Sequence, residues 1–235
     1  MIDIHNHLLF GIDDGSKSIE ESIDVLNDMY KYGYTDIILT PHYIKDSKYN
    51  SSRINNYKRL KELRNALIEN DININLFLGN EIYIDEDIFE LIKNGIVSTL
   101  NNTRYILIEL PMSGEYEDYK YIFSDLMRKG CKIILAHPER YIAFQKDFNK
   151  IYELEKLGVY FQSNLGSIVG DYGIEAEKTI KRLLKEKKIA FLATDIHHKK
   201  HDYNKWEMAK EIALKYISEE EYNILTVDNP KELLK

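Results

Sequence analysis

Cysteine is nearly absent. Cys131 is the only one in 235 residues, so no intramolecular disulfide can form, and a reducing compartment is the expected setting. The same scarcity argues against a closed structural zinc site built on thiolates. No window approaches the roughly 20 apolar residues that span a bilayer. The opening stretch MIDIHNHLLF has neither a basic leader nor a long apolar run, so no secretory signal is visible. A cytoplasmic protein without membrane insertion is expected. Pro/Gly/Ser-rich linkers, low-complexity tracts and sequence repeats are also missing, which predicts one domain over residues 1–235. Positive charge is in deficit, 32 Lys and Arg against 39 Asp and Glu, for a net charge of −7. That balance argues against broad nucleic-acid binding.

Short apolar, β-branched runs are plentiful. MIDIH (1–5), TDIILT (35–40), INLFLG (74–79), RYILIEL (104–110), KIILAH (132–137), VYFQSN (159–164) and KIAFLATD (188–195) are each bounded by polar or Gly-containing segments. Such runs suit buried parallel strands. Stretches with helical spacing lie between them. In 18–33, Ile19, Ile23, Leu26 and Tyr30 share a face that stops at Gly33, with Ser18 and Glu21 spaced as a capping box. In 51–70, the face is Ile54, Tyr57, Leu60, Leu63 and Leu67. Further helices are expected over 119–130, 147–158, 173–188, 204–218 and 218–227. Strand alternating with helix predicts a parallel α/β architecture. A closed or distorted barrel and an open doubly wound sheet both fit it.

Residues of metal-binding type gather at the ends of these runs. His5 and His7 follow the first, His42 the second, Glu81 the third and His137 the fifth. Glu109 ends the fourth; Asp195 and His197 close the seventh. Strand C-termini of a parallel sheet or barrel open on one face, where active sites collect. Residues i and i+2 of an extended segment point the same way. His5 with His7, and Asp195 with His197, can therefore each reach one ion. Imidazole mixed with carboxylate suits zinc, manganese or iron, and the carboxylates can bridge two or more ions. The case rests on convergence from six strands, since a lone H-x-H or strand-end Glu carries little.

The segments MIDIHNHLLFGIDDGSKS, ILTPHY, GNEIYI, RYILIEL, AHPERY and ATDIHH, in this order, with VDNPKELL near the C-terminus, resemble the metal-dependent protein tyrosine phosphatases of the polymerase-and-histidinol-phosphatase (PHP) superfamily. Those phosphatases belong to bacterial capsule and exopolysaccharide loci. The resemblance implies a TIM-like, distorted seven-stranded (β/α) barrel and three divalent ions, manganese first, with iron or zinc as alternatives. By motif, His5, His7, Glu81 and Asp195 would hold one ion. Glu81, Glu109 and His137 would hold a second, and Asp14, His42 and His197 the third. Arg140 in HPER corresponds to a phosphate-binding arginine, and Arg140, His42 and Asp14 form the implied catalytic set. The implied partner is a phosphotyrosine protein, the tyrosine-rich tail of a bacterial tyrosine kinase. One feature of the family is missing: DIHHKKHDYNKW has no arginine. Lys199, Lys200, His201 and Lys205 are its candidate substitutes, each a point charge without the bidentate fork.

The implied reaction is attack of a metal-activated hydroxide on phosphorus, with Arg140 on the equatorial oxygens. A cysteine-nucleophile phosphatase would need an arginine six positions after the cysteine. Position 137 is His, which leaves Cys131 as a small core residue. Asp13 is expected to shape its loop, 164–173 to form a flexible loop at the site mouth, and His198 and His201 to be solvated. Two other readings stay open: a small-molecule phosphatase of the same superfamily, acting on histidinol phosphate or a nucleotide, and a catalytically weak metal-binding regulator.

Overall fold

The apolar runs become strands. The computed structural model describes residues 1–114, 116–198 and 204–235. Its strands are β1 (Ile2–Asp3), β2 (Asp36–Leu39), β3 (His42–Tyr43), β4 (Asn75–Leu78), β5 (Glu81–Tyr83), β6 (Tyr105–Glu109), β7 (Lys132–Ala136), β8 (Tyr160–Asn164) and β9 (Phe191–Ala193). Every strand pairing is parallel. The strands form two sheets, ordered β1-β2-β4 and β3-β5-β6-β7-β8-β9. The parallel α/β class is as expected, but among the described residues the strands do not form one continuous ring of ladders.

The break has local causes. The second run is cut at Thr40–Pro41, where proline has no N–H to give a ladder. The third is cut at Gly79, where a Cβ would lie 2.6 Å from Leu100 Cδ2. Single bonds cross between the sheets. Asp195 N donates to His5 O at 2.8 Å and His7 N to Ile196 O at 2.9 Å, while Thr40 N, donating to Asn6 O at 3.1 Å, prolongs the β1–β2 pairing within one sheet. An isolated parallel bridge joins Asn6 and Ile196.

Alternation along the strands divides the core in two. Ile106, Ile108, Ile133, Leu135, Phe161 and Leu192 pack outward with the helices. Their neighbours Leu107, Ile134, Ala136, Phe191 and Ala193 join Ile2, Ile4 and Ile38 in a separate interior cluster. Both faces are apolar, as strands covered on both sides require. The interior cluster draws on both sheets, and Leu233 of the C-terminal tail is fully buried in it.

The helices follow the expected segments, with shifted faces. Helix Ile19–Tyr32 is capped by Ser18, whose side chain accepts from Glu21 N, and ends at Gly33 with φ 100°. The capping box is half formed, because the Glu21 carboxylate accepts from Lys17 N instead. Its buried stripe is Ser22, Val25, Leu26 and Met29, with Ile19 and Ile23 packed at the margin and Tyr30 exposed. In helix Arg53–Glu69, Leu60, Leu63 and Leu67 are buried as expected, but Ile54 is 81% exposed and Tyr57 is also exposed. The first turn overhangs the core, and Asn56 is its buried residue. Among the described residues, no helix is long and apolar enough to cross a membrane.

Candidate metal centre

Residues that follow β1, β7 and β9, the first residues of β3 and β5 and the last residue of β6 meet in one cluster. His5 Nε2 lies 3.3 Å from Glu81 Oε2 and 3.4 Å from Asp195 Oδ1. His7 Nε2 lies 3.3 Å from each of the same two oxygens. His42 Nδ1 is 2.9 Å from Glu81 Oε2 and 3.8 Å from Glu109 Oε2. His137 Nε2 is 2.9 Å from Glu81 Oε1 and 3.8 Å from Glu109 Oε1. Asp14 Oδ1 stands 3.7 Å from both His42 Nε2 and His197 Nε2.

Four overlapping groups have donor atoms within 4.8 Å of one another: His5, His7, Glu81; His5, His137, Asp195; His42, Glu81, Glu109; and His7, Asp14, His42, His197. All nine positions named from the sequence are in this cluster. The grouping differs from the implied one: His7 joins the Asp14 group, His42 stands with Glu81 and Glu109, and His137 stands with His5 and Asp195.

The donor atoms fit a cation. His5 Nε2, His7 Nε2, His42 Nδ1, Glu81 Oε2 and Asp14 Oδ1 are buried without a hydrogen-bond partner. Imidazole nitrogens and carboxylate oxygens crowded together this closely need either a proton or a cation between them. Ligands about 2.0–2.2 Å from a shared ion lie about 2.8–3.6 Å apart, from octahedral to tetrahedral angles, and the His5 and His7 separations above fall in that range.

The backbone is specialised to present these groups. Strands β7 and β9 are followed by residues in the left-handed region, His137 at φ 32° and Asp195 at φ 52°. Non-glycine residues adopt it at a cost of about 1–3 kcal/mol, and such residues cluster at functional sites. Gly15 of the DDG stretch sits against the chain at His7, where a Cβ would fall 1.9 Å from His7 O. Asp13 does shape its loop by accepting from Gly15 N at 3.0 Å. It also accepts from His42 N at 2.8 Å and meets His7 Nδ1 at 2.7 Å. That leaves His7 Nε2 facing the cluster.

A family model described as "Capsular polysaccharide synthesis, CpsB/CapC" matches residues 1–235. The chain belongs to the CpsB/CapC family. CapC of Staphylococcus aureus is 37% identical over 199 residues, 84% of this chain and 77% of that protein. The tyrosine-protein phosphatase CpsB of Streptococcus agalactiae is 28% identical over 240 residues, 100% of this chain and 98% of that one. One chain from the crystal structures of YwqE from Bacillus subtilis and CpsB from Streptococcus pneumoniae, described as metal-dependent tyrosine phosphatases, matches with TM-score 0.91 and 30% identity. That match covers 100% of this chain and 94% of the other.

Without metal, this CpsB/CapC site is a tightly linked acid–base cluster. Burial pulls the His5 pKa down, but the charges of Glu81 and Asp195 outweigh it and raise it to about 9. His7 is raised well above its usual value: burial is outweighed by Asp13, with help from Asp195 and Glu81. Burial would lift Glu81 and Asp195, yet the surrounding imidazolium charges hold both well below the usual range. Glu109 is pushed up to about 8 by burial and by Glu81. His137 and His197 are lowered to about 4, in each case chiefly by burial.

Arg140 lies beside the cluster on the turn Pro138–Arg140. Its Nη1 donates to Asp195 Oδ2 at 2.9 Å, and its guanidinium stacks 4.3 Å from the centre of the Tyr172 ring. Tyr172 came from the stretch expected to be a flexible loop. That expectation is corrected: Leu165–Ile168 form a buried helical turn, tied down by Ser167 Oγ donating to Glu139 Oε1 at 2.7 Å. Of the candidates for the missing arginine, Lys199, Lys200 and His201 lie outside the described residues. Lys205 pairs with Asp171, one residue before Tyr172. His198 is exposed as expected, whereas Cys131 is only half-buried. Gln162 and Asn164 of β8 also contact the cluster, and nothing in their residue type announced them.

Proposed function

We infer that the protein is a metal-dependent tyrosine phosphatase that removes phosphate from tyrosine in a protein substrate. The observation that carries this reading is the set of unpartnered buried donors of His5, His7, His42, Glu81 and Asp14, next to the guanidinium of Arg140. The nine residues are read as holding three divalent ions, manganese first, with Glu81 at their centre. When bound, the ions supply an activated water nucleophile and neutralise charge developing on phosphate. Arg140 offers a planar fork to the phosphate oxygens, and the Tyr172 ring supports it. Burial of His5, His7 and Glu81 keeps bulk water from competing for the ions.

The same reading takes the two sheets as one interrupted seven-stranded barrel within a single domain of 1–235. The bonds between the ends of β1 and β9 and the shared interior cluster support it. The tyrosine-rich tail of a capsule-regulating bacterial tyrosine kinase is the proposed substrate, and the cytoplasm the proposed location. Hydrolysis of a phosphotyrosine peptide, compared with histidinol phosphate, tests the activity. Manganese-dependent turnover of the peptide is expected to exceed that of the small ester. Arg140→Ala is expected to lower kcat/KM roughly 100- to 1,000-fold, the usual loss for one charge-stabilising donor, with bound metal unchanged. Unaltered turnover in that variant would remove Arg140 from the reaction.

A further inference from the structure

Strand β8 ends at the cluster, yet it carries none of the nine metal-type residues. In their place it carries two buried amides, Gln162 and Asn164. These two side chains link His5 to Asp195. His5 Nδ1 is 2.7 Å from Gln162 Oε1. Gln162 Nε2 donates to Asn164 Oδ1 at 2.8 Å. Asn164 Nδ2 donates to Asp195 Oδ2 at 2.7 Å.

The direction of this chain is dictated by its carboxylate end. A carboxylate only accepts, so Asn164 must turn its NH2 toward Asp195. Its carbonyl then faces Gln162, which must answer with its own NH2. The Gln162 carbonyl is thereby turned to His5, whose Nδ1 must carry the proton. The consequence falls at the far end of each group. In the neutral imidazole that a metal ion requires, His5 Nε2 is left as the lone pair. Asp195 keeps Oδ1 free, with Oδ2 occupied by Asn164 and by Arg140. Those are the two atoms that face each other at 3.4 Å in the cluster.

We propose that Gln162 and Asn164 are positioning residues of a polarised amide relay, which fixes the tautomer of His5 and the free oxygen of Asp195 for a divalent cation. The relay is held in place from below. Asn164 N donates to Glu139 Oε1 at 2.9 Å, and β8 is paired on both sides, to β7 and β9. In an extended strand, i and i+2 share a face. Gln162 and Asn164 therefore point into the cluster, with Phe161 in the outer core.

The proposal rests on the reading of His5 and Asp195 as metal ligands, and the test separates the two. Manganese affinity is measured by chelator competition in wild type, Gln162→Met and Gln162→Glu, alongside the melting temperature of each metal-free protein. Gln162→Met keeps the length of the side chain but offers His5 no strong acceptor. It is expected to weaken manganese binding roughly 10- to 100-fold, the usual loss for an outer-shell partner. Gln162→Glu keeps an acceptor for Nδ1 but loses the donor to Asn164 Oδ1, and is expected to bind more weakly than wild type and more tightly than Gln162→Met. Equal binding by Gln162→Met and wild type would overturn the relay. So would equal losses in the Met and Glu variants, which would mark a packing effect. Wild-type protein that binds no manganese would instead overturn the metal reading itself. Asn164→Asp, which sets a carboxylate against Asp195, adds a variant of unchanged size, and manganese binding as tight as wild type there would also count against the relay.

Discussion

Gly15 shows how much of the site depends on a residue with no functional group. An added Cβ would meet His7 O at 1.9 Å and His7 Cβ at 2.5 Å. Neither is a flexible side-chain end, so the loop or the strand must move. The same loop is held by Ser16 N donating to His7 O at 3.0 Å. Gly15→Ala is expected to destabilise the fold by about 1–3 kcal/mol, the range for overpacking a tight contact, and to weaken manganese binding. Denaturant unfolding with a parallel metal titration measures both, and wild-type values in each would show the contact to be slack. At this scale the sequence was readable where chemistry is carried by residue type. Histidine and carboxylate at strand ends announce ligands. Asp13 was legible as a loop-shaping residue but not as the partner of His7, and Gln162, Asn164 and Tyr172 do not announce themselves, because an amide in a strand or a tyrosine among 18 has many ordinary uses. Their role comes from pairings at |i−j| of 6, 157 and 31 for Asp13–His7, Gln162–His5 and Asn164–Asp195, which no local pattern encodes. The left-handed turns at His137 and Asp195 are equally silent, since neither residue is the glycine that normally marks them.

Whole elements were more legible than their edges. Two-sided apolar runs identify parallel strands because both faces must be covered. The interruption at Thr40–Pro41 follows from proline's missing N–H, whereas that at Gly79 depends on Leu100 across the gap. Helix faces were misjudged by a residue or so at Tyr30, Ile54 and Tyr57, where a helix end overhangs the core it packs on. The C-terminal tail makes a testable case. Leu233 is completely buried in the interior cluster with Ile2, Ile4, Leu107 and Ile134, and Asn101 Nδ2 holds its carbonyl at 3.0 Å. The tail therefore closes the strand interior. Leu233→Ala is expected to cost about 2–3 kcal/mol, the lower part of the range for buried leucine, because a terminal segment relaxes more readily than a central one. Chemical denaturation gives the value directly. A loss under about 0.5 kcal/mol, as for an ordinary surface site, would mean the tail packs loosely.

Across the whole molecule, the metal-free cluster makes stability and metal binding depend on pH. His5, raised to about 9, and Glu109, raised to about 8, keep protons in the fold that an unfolded chain releases near the ordinary values of 6.5 and 4.5. His7 and His42 shift in the same direction. A group with a raised folded pKa favours folding at low pH and loses that contribution as pH passes its folded value. The His5 contribution is thus complete below 6.5 and gone above about 9. Two other histidines act oppositely, but elsewhere on the scale. His137 and His197, lowered to about 4, raise stability between about 4 and 6.5 and add nothing further above it. The Met1 amino group, lowered chiefly by burial, opposes the trend near pH 8 as a single group. Metal-free protein is therefore expected to lose stability from pH 7 to 9. A divalent ion needs the imidazoles neutral and the carboxylates ionised, so its binding must expel the retained protons. Two measurements follow. Titration calorimetry of manganese at pH 7, in buffers of different ionisation enthalpy, is expected to report net proton release. The rise in melting temperature given by a fixed manganese concentration is expected to grow from pH 6 to pH 8.5, because binding to the folded state tightens as fewer protons compete. A manganese-induced rise that is the same at both pH values, with no buffer dependence of the heat, would show that the ion does not displace the protons of this cluster.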